Sequence, residues 1–411
     1  MRKLVLTGLA LIAAVLMSML GGVTSAVAAQ FPTVQSQAPR PGITVNVYAL
    51  GFNQISCSAA SACLGLGLAV NPKTLGSQFP LAWNGTAWRK LALPSPAKGA
   101  TEAALTSVSC VRETKQPSCV AVGDYVSKSG NPGVFAVAWN GGALRLLPAP
   151  RLSKGIADVY LDALSCVSAR HCVALGGGVT TKDGAFPLVF ETWDGSGWTV
   201  RTKALPAAGD FPQLNGISCA TSADCVLVGA LQGGNGKASA YAARWNGASL
   251  TRLAVPVPAG IASPTLAAVS CSSAAACAVT GLNFNTSNGS TGQAFIDVLR
   301  SGKWSLTKVT WPKGTTSTEL LALSCRSAKW CIAAGSAGND VATLIYNGKS
   351  WSAQHLPAPA KGYADAFGGI SCVTEKSCVA LGDTGPVKKN ELDPLGATWH
   401  GKAWTLTVIH G

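Results

Sequence analysis

Three segments share one order of residue types: Lys, Gly, two further residues, then an acid. They are Lys98-Gly99 before Glu102, Lys154-Gly155 before Asp158, and Lys361-Gly362 before Asp365. Asp210 and Glu319 sit at similar distances before their own Ser-Cys pairs, with Tyr160 and Tyr363 beside the series. Such acids, gathered at one opening, could bind a cation, an amine or a sugar. The competing reading is that each acid pairs with a basic residue or caps a turn, worth little at an exposed position. Asp124 and Asp383 open polar stretches of the same hydrogen-bonding character. The candidate binding residues are therefore Lys98, Glu102, Asp124, Lys154, Asp158, Tyr160, Asp210, Glu319, Lys361, Tyr363, Asp365 and Asp383.

Catalysis would need a positioned acid and base, or a nucleophile with its base. Asp158 with Asp162 is an available carboxylate pair, although its spacing specifies no reaction. His171 falls inside a cysteine-bounded turn and His400 replaces a turn Asn, while His355 and His410 are isolated. Metalloprotease helices, nucleophile elbows and Gly-rich phosphate loops are lacking, so no catalytic residue, metal or cofactor is assigned.

The elements that must position these residues are repeats. Seven segments read Ser-Cys, a short spacer, Cys, three residues, then Gly. They start at Ser56, Ser109, Ser165, Ser218, Ser270, Ser324 and Ser371, and successive first cysteines lie 47 to 56 residues apart. With 14 cysteines, an even number, the expected pairs are Cys57-Cys63, Cys110-Cys119, Cys166-Cys172, Cys219-Cys225, Cys271-Cys277, Cys325-Cys331 and Cys372-Cys378. Each pair would flank a tight turn and brace it; only four histidines are present to build a metal site with them.

A second mark follows in each repeat. Trp83-Asn84-Gly85 leads to Trp88, Trp193-Asp194-Gly195 to Trp198, Tyr346-Asn347-Gly348 to Trp351, and Trp399-His400-Gly401 to Trp404. Asn-Gly between apolar residues is a strong hairpin signal because both tolerate positive φ. Four short strands result, near Leu214–Cys219, Cys225–Gly229, Tyr241–Trp245 and Leu250–Val255 in the fourth copy. Four strands at a period near 50, seven times over, predict an all-β, seven-bladed propeller of antiparallel blades with one disulfide each. The copies run in phase, so the last blade needs no borrowed strand, although Ile43–Tyr48 could pair with an edge.

The Gly-then-Trp turn between third and fourth strands resembles the Asp-box of sialidase-type propellers, and the whole chain after its leader resembles secreted bacterial propellers with such repeats. Asn replaces Asp in most copies and the turn is a residue shorter. The resemblance implies architecture. The arginine cluster, Tyr-Glu pair and acidic residue of sialidases have no matching positions here, so it implies no activity.

In such a meander the disulfide turns and the Asn-Gly turns share one face of the disc. They are nearly uniform between copies. The other face carries the connections that vary, among them Asp124–Gly133 and Asp383–Gly396, where binding usually resides.

Arg2 and Lys3, an apolar run from Leu4 to Val23 and Ala26-Val27-Ala28 read as an export signal over 1–28. A linker over 29–48 and the propeller over 49–411 follow. Secretion suits the cysteines. Formal net charge is +14, or +12 without Arg2 and Lys3, which attracts acidic polymers. The basic residues are scattered along the sequence without interleaved aromatics, which argues against nucleic acid.

Two readings compete. One is a monomeric, secreted, non-catalytic propeller that recognises an extracellular glycan, a cell-envelope component or a protein through its variable face. The alternative is a glycoside hydrolase or lyase on a sialidase-like propeller.

Overall fold

The computed structural model describes residues 54–409 apart from 72–73, 113–116, 151–153, 206–210, 234–237, 284–292, 301, 312–314, 316, 355, 357–362 and 387–390. The expected export signal, the linker with Ile43–Tyr48, Asp210, Lys361, His355 and His410 lie outside the described residues.

The chain forms seven antiparallel sheets, each following chain order from a first, innermost strand to a fourth, outermost one. The blades span 55–90, 101–146, 156–203, 211–252, 264–307, 318–354 and 363–408. Blade 4 is built from Phe211–Thr221, Asp224–Gln232, Ala238–Trp245 and Leu250–Arg252, so its inner strands run longer than predicted and its outer one stops short. Blade 6 gains a short outer strand, Val309–Thr310, running parallel to Trp351–Gln354. All seven expected disulfides form across first-to-second-strand turns, with Cα atoms 3.9 to 4.0 Å apart. Each closes a small loop, worth about 2 kcal/mol in the chain-entropy account.

The hydrophobic cores lie between blades, one at each of the seven seams. The turn tryptophans build them: Trp245 of blade 4 stacks on Phe190 of blade 3 at 4.2 Å between centroids. Trp351 of blade 6 donates from Nε1 to Thr307 of blade 5 at 3.0 Å. The Asn-Gly turns close as Asx turns. Asn84 Oδ1 accepts from the amides of Thr86 and Ala87 at 2.9 and 2.7 Å, and Asp194 Oδ1 does the same with Ser196 and Gly197 at 2.8 Å. Only one acceptor oxygen is used, which is why Asn substitutes for Asp.

The serine before each first cysteine joins neighbouring blades. Its Oγ accepts a hydrogen bond from the first cysteine amide of the next blade, at 2.8 to 3.1 Å at all seven seams. The bond from Cys57 to Ser371 closes the ring between blades 1 and 7 in the same way as the others. Replacing Ser324 or Ser371 by Ala should each cost about 1 kcal/mol in chemical denaturation, and the two losses should match. A larger loss at Ser371 would mean that the closing seam is special.

In blades 2 to 7 the first strand carries one extra residue opposite the second: Thr106, Asp162, Asn215, Ala267, Leu321 or Gly368. Such a bulge re-aims side chains next to sites. Here it turns them toward the following blade: Thr106 Oγ1 donates to Leu161 O, and Asn215 Nδ2 donates to Leu266 O at 2.8 Å.

Candidate functional site

The variable face contains the connections between second and third strands and those between blades. Its described acids do not form the single ring suggested by the Lys-Gly-x-x-acid series. Lys98 and Lys154 are exposed, as are Glu102 and Asp158. Glu102 and Asp158 have φ of 53° and 50°, the positive-φ non-glycines among the described residues. Each sits where the first strand slips against the second, between Thr101 and Ala104 and between Ala157 and Tyr160. Left-handed backbone at a residue with a side chain costs on the order of 1 kcal/mol, so the same strained corner recurs in blades 2 and 3.

The third member of the series, Asp365, is 1% exposed. Its Oδ1 accepts the Thr384 hydroxyl, and its amide donates to Asn339 O of blade 6 at 2.9 Å. Burial pushes this carboxyl up to about 6, against the Thr384 hydrogen bond and with a contribution from Asp340. Asp365 ties blade 7 to blade 6. Asp383 is buried beside it, while Tyr363 is exposed. Glu319 is half-buried opposite Ser336, and burial raises its carboxyl too.

Asp124 and Tyr160 come together with Asp162, at the seam of blades 2 and 3. The Asp158 corner leads the first strand of blade 3 inward, and the Tyr160 ring lies over Gly177, where a Cβ would stand 2.3 Å from its hydroxyl oxygen. Gly177 thus makes room for the tyrosine ring, while Gly176 admits the Tyr160 carbonyl. Two residues on, Asp162 is the bulge residue. Its counterparts Thr106 and Asn215 donate to the next blade; an ionised carboxylate cannot.

Asp124, from the second strand of blade 2, accepts the Leu161 amide at 3.3 Å through Oδ1, while Oδ2 is buried without a hydrogen-bond partner. The Tyr160 hydroxyl is likewise buried and unpartnered. Burial pushes the Asp124 carboxyl up to about 8, partly offset by the Leu161 amide. Burial, then the neighbouring Asp124, holds Asp162 well above the usual carboxylate range. The Tyr160 phenol is raised by burial and by both aspartates. Two carboxyls sharing a poorly solvated site do not both ionise near neutral pH. The group holds a proton there and can donate it. Among the described residues no cluster of His, Cys, Asp and Glu suits a metal ion.

Two further acids were not singled out by the sequence. Glu191 and Asp297 occupy one position of the third strand, two residues before Trp193 and Leu299, where other blades carry Leu81, Val137, Ala243, Leu344 or Ala397. Both are fully buried, and none of their carboxylate oxygens has a hydrogen-bond partner. Burial pushes Glu191 up to about 8 and Asp297 to about 7. Aligning the repeats at the turn tryptophan would have revealed them.

No protein-family model matches the chain, and no curated protein matches its sequence. Among solved structures, an ulvan lyase described as a new family of polysaccharide lyase, bound to -[GlcA(1-4)Rha3S]-, superposes with a TM-score of 0.54 at 7% identity, covering 88% of this chain and 96% of that one. A puromycin-hydrolysing peptidase from Mycobacterium tuberculosis superposes at 0.51 and 12% identity, covering 90% of this chain and 54% of that one. The Hadza microbial sialidase Hz136 reaches 0.43 at 9% identity, covering 74% of this chain and 64% of that one, too loose a superposition to support an argument. The shared feature is the fold. The seven-bladed propeller that the Asp-box-like turn suggested is the architecture observed. Seven disulfides, and no helix among the described residues long and apolar enough to cross a membrane, are consistent with an extracellular protein.

Proposed function

We propose that the chain is an extracellular propeller that cleaves a polysaccharide, as a glycoside hydrolase or lyase, with Asp162 as proton donor to the leaving sugar oxygen. The observation that carries this reading is the Asp124–Tyr160–Asp162 group, two carboxyls and a phenol from two blades, poised to hold a proton. Asp162 and Tyr160 are half-buried and Asp124 is buried; the Tyr160 hydroxyl is itself enclosed, which leaves Asp162 as the proposed donor. Asp124 and Tyr160 act through it: their shared low-dielectric surroundings keep its proton on at neutral pH, as a general acid requires. The ulvan lyase supports the reading to the extent that a polysaccharide-cleaving enzyme uses a propeller of nearly the same extent.

The test is incubation of the oxidised mature protein with neutral and acidic polysaccharides, following new reducing ends and the ultraviolet absorbance of unsaturated uronates. One polymer should be cleaved, and Asp162→Asn should lower turnover by about a hundredfold while leaving binding intact. Binding without cleavage by the unmutated protein would return the non-catalytic module as the correct reading.

A further inference from the structure

The scattered basic residues converge in space. On the disulfide face of blades 5 to 7, the turns present Arg300 and Lys303, then Arg326, Lys329 and Lys349, then Lys376 and Lys402, all exposed. Glu375 is the acid among the described residues of these turns. Within blades 6 and 7 the two turns abut. A Cβ on Gly348 would stand 3.3 Å from Lys329, and one on Gly401 would stand 3.1 Å from Lys376. Lys329 thus backs the turn bearing Lys349, and Lys376 the turn bearing Lys402. None of these four lysines forms an ion pair among the described residues, where Arg244 with Asp224 is the pair that does form.

The acids Glu102, Asp158, Glu319, Asp340 and Asp393 lie toward the opposite face, where Lys98, Lys128, Lys154 and Lys182 also lie. On blades 5 to 7 the described turns of the disulfide face carry seven cations against the single acid Glu375, so an anionic polymer is drawn to that side of these blades. The least buried aromatic ring of these turns, Trp330, packs half-buried against the core of blades 6 and 7, and the large apolar side chains exposed among the described residues are Leu146, Val167, Leu306 and Tyr363, all outside these turns. Single-stranded nucleic acid needs stacking platforms, and stable membrane docking needs an apolar anchor. A polymer that carries regularly spaced charges and hydroxyls needs neither.

We propose that the disulfide face of blades 5 to 7 is a docking site for an acidic polysaccharide, separate from the Asp162 site at the seam of blades 2 and 3. It holds the protein on an anionic matrix with its variable face turned outward.

The experiment measures affinity of the full mature protein for polygalacturonate over a range of salt. In one variant Lys329, Lys349, Lys376 and Lys402 become Ser. A control removes the same charge from the outer walls of blades 1 to 3, at Arg89, Lys90, Arg145 and Arg201. The patch variant should bind at least about tenfold more weakly, with a shallower salt dependence, and the control should change less than about twofold. A two-site reversal, Lys349→Glu with Lys402→Glu, confines the change to exposed turn tips and should give the same loss without lowering the melting temperature. Asp162→Asn should bind as the unmutated protein does, which separates this site from the proposed catalytic one. Equal losses in variant and control, no binding by the unmutated protein, or tighter binding to single-stranded DNA or anionic vesicles than to polygalacturonate would overturn the proposal.

Discussion

Gly176→Ala is expected to abolish folding of the propeller. A Cβ at that position would stand 1.8 Å from the Tyr160 carbonyl oxygen, and the same clash, at 1.9 to 2.0 Å, recurs at Gly123, Gly229, Gly335 and Gly382. The obstacle is backbone, held in place by the first-strand bulge on one side and the disulfide turn on the other, so it cannot rotate away. Relief requires the two inner strands to separate, and strain of that kind exceeds about 4 kcal/mol, the exceptional end of single-substitution effects. The measurement is yield of soluble oxidised protein and its thermal unfolding. Gly178→Ala is the comparison, since there the nearest neighbour of an added Cβ is the Ile156 Cγ2 methyl at 2.6 Å, a side-chain atom rather than backbone. If Gly176→Ala unfolds at the same temperature as Gly178→Ala, the close approach of strand to strand described above is wrong.

The second large effect is on pH dependence. Glu191 sits with its carboxyl raised to about 8, and the same group in an unfolded chain titrates near 4.5. Between those values the folded protein binds a proton that the unfolded chain does not, so stability falls as pH rises. The contribution is complete below about pH 4.5 and is lost as pH passes through about 8, a loss on the order of 3 kcal/mol by pH 7. Asp297, raised to about 7, adds a second loss of the same sign. Glu191→Leu, which installs the residue type carried by Leu81 and Leu344, should therefore stabilise the protein at pH 8, change it little at pH 4, and flatten the dependence between. Denaturant titrations at those two pH values check this. A loss of stability at pH 8 would show that the carboxyl makes a favourable contact when ionised.

Much of the architecture could be read from the sequence because its chemistry leaves marks at fixed positions. Cysteine pairs, the Ser that accepts from the next blade and the turn before the outer strand recur with the blade, and the Gly that admits a carbonyl recurs in five of the seven. The Lys-Gly-x-x-acid series carried less weight than its regularity suggested. Its acids diverge because Glu102 and Asp158 fall on left-handed corners while Asp365 keeps regular pairing with Thr384. The Asp124–Tyr160–Asp162 group was legible only by its members. Asp124 belongs to one blade and the other two to the next, and the bulge that places Asp162 has no residue signature, since Thr, Asp, Asn, Ala, Leu and Gly all occupy it. The basic patch was hidden for a related reason: Lys329 and Lys376 lie about one blade apart in sequence, so a linear scan sees isolated charges.

The ring of serine-to-cysteine bonds has a consequence for chain connectivity. The joint between the last blade and the first uses the same donor, acceptor and geometry as the internal joints. The point in the ring at which the chain begins is then immaterial to the assembled disc. Circular permutants opened between any two blades, with the original ends bridged by a short linker, should close into the same toroid, and their stabilities should differ only by what each cut connection contributed.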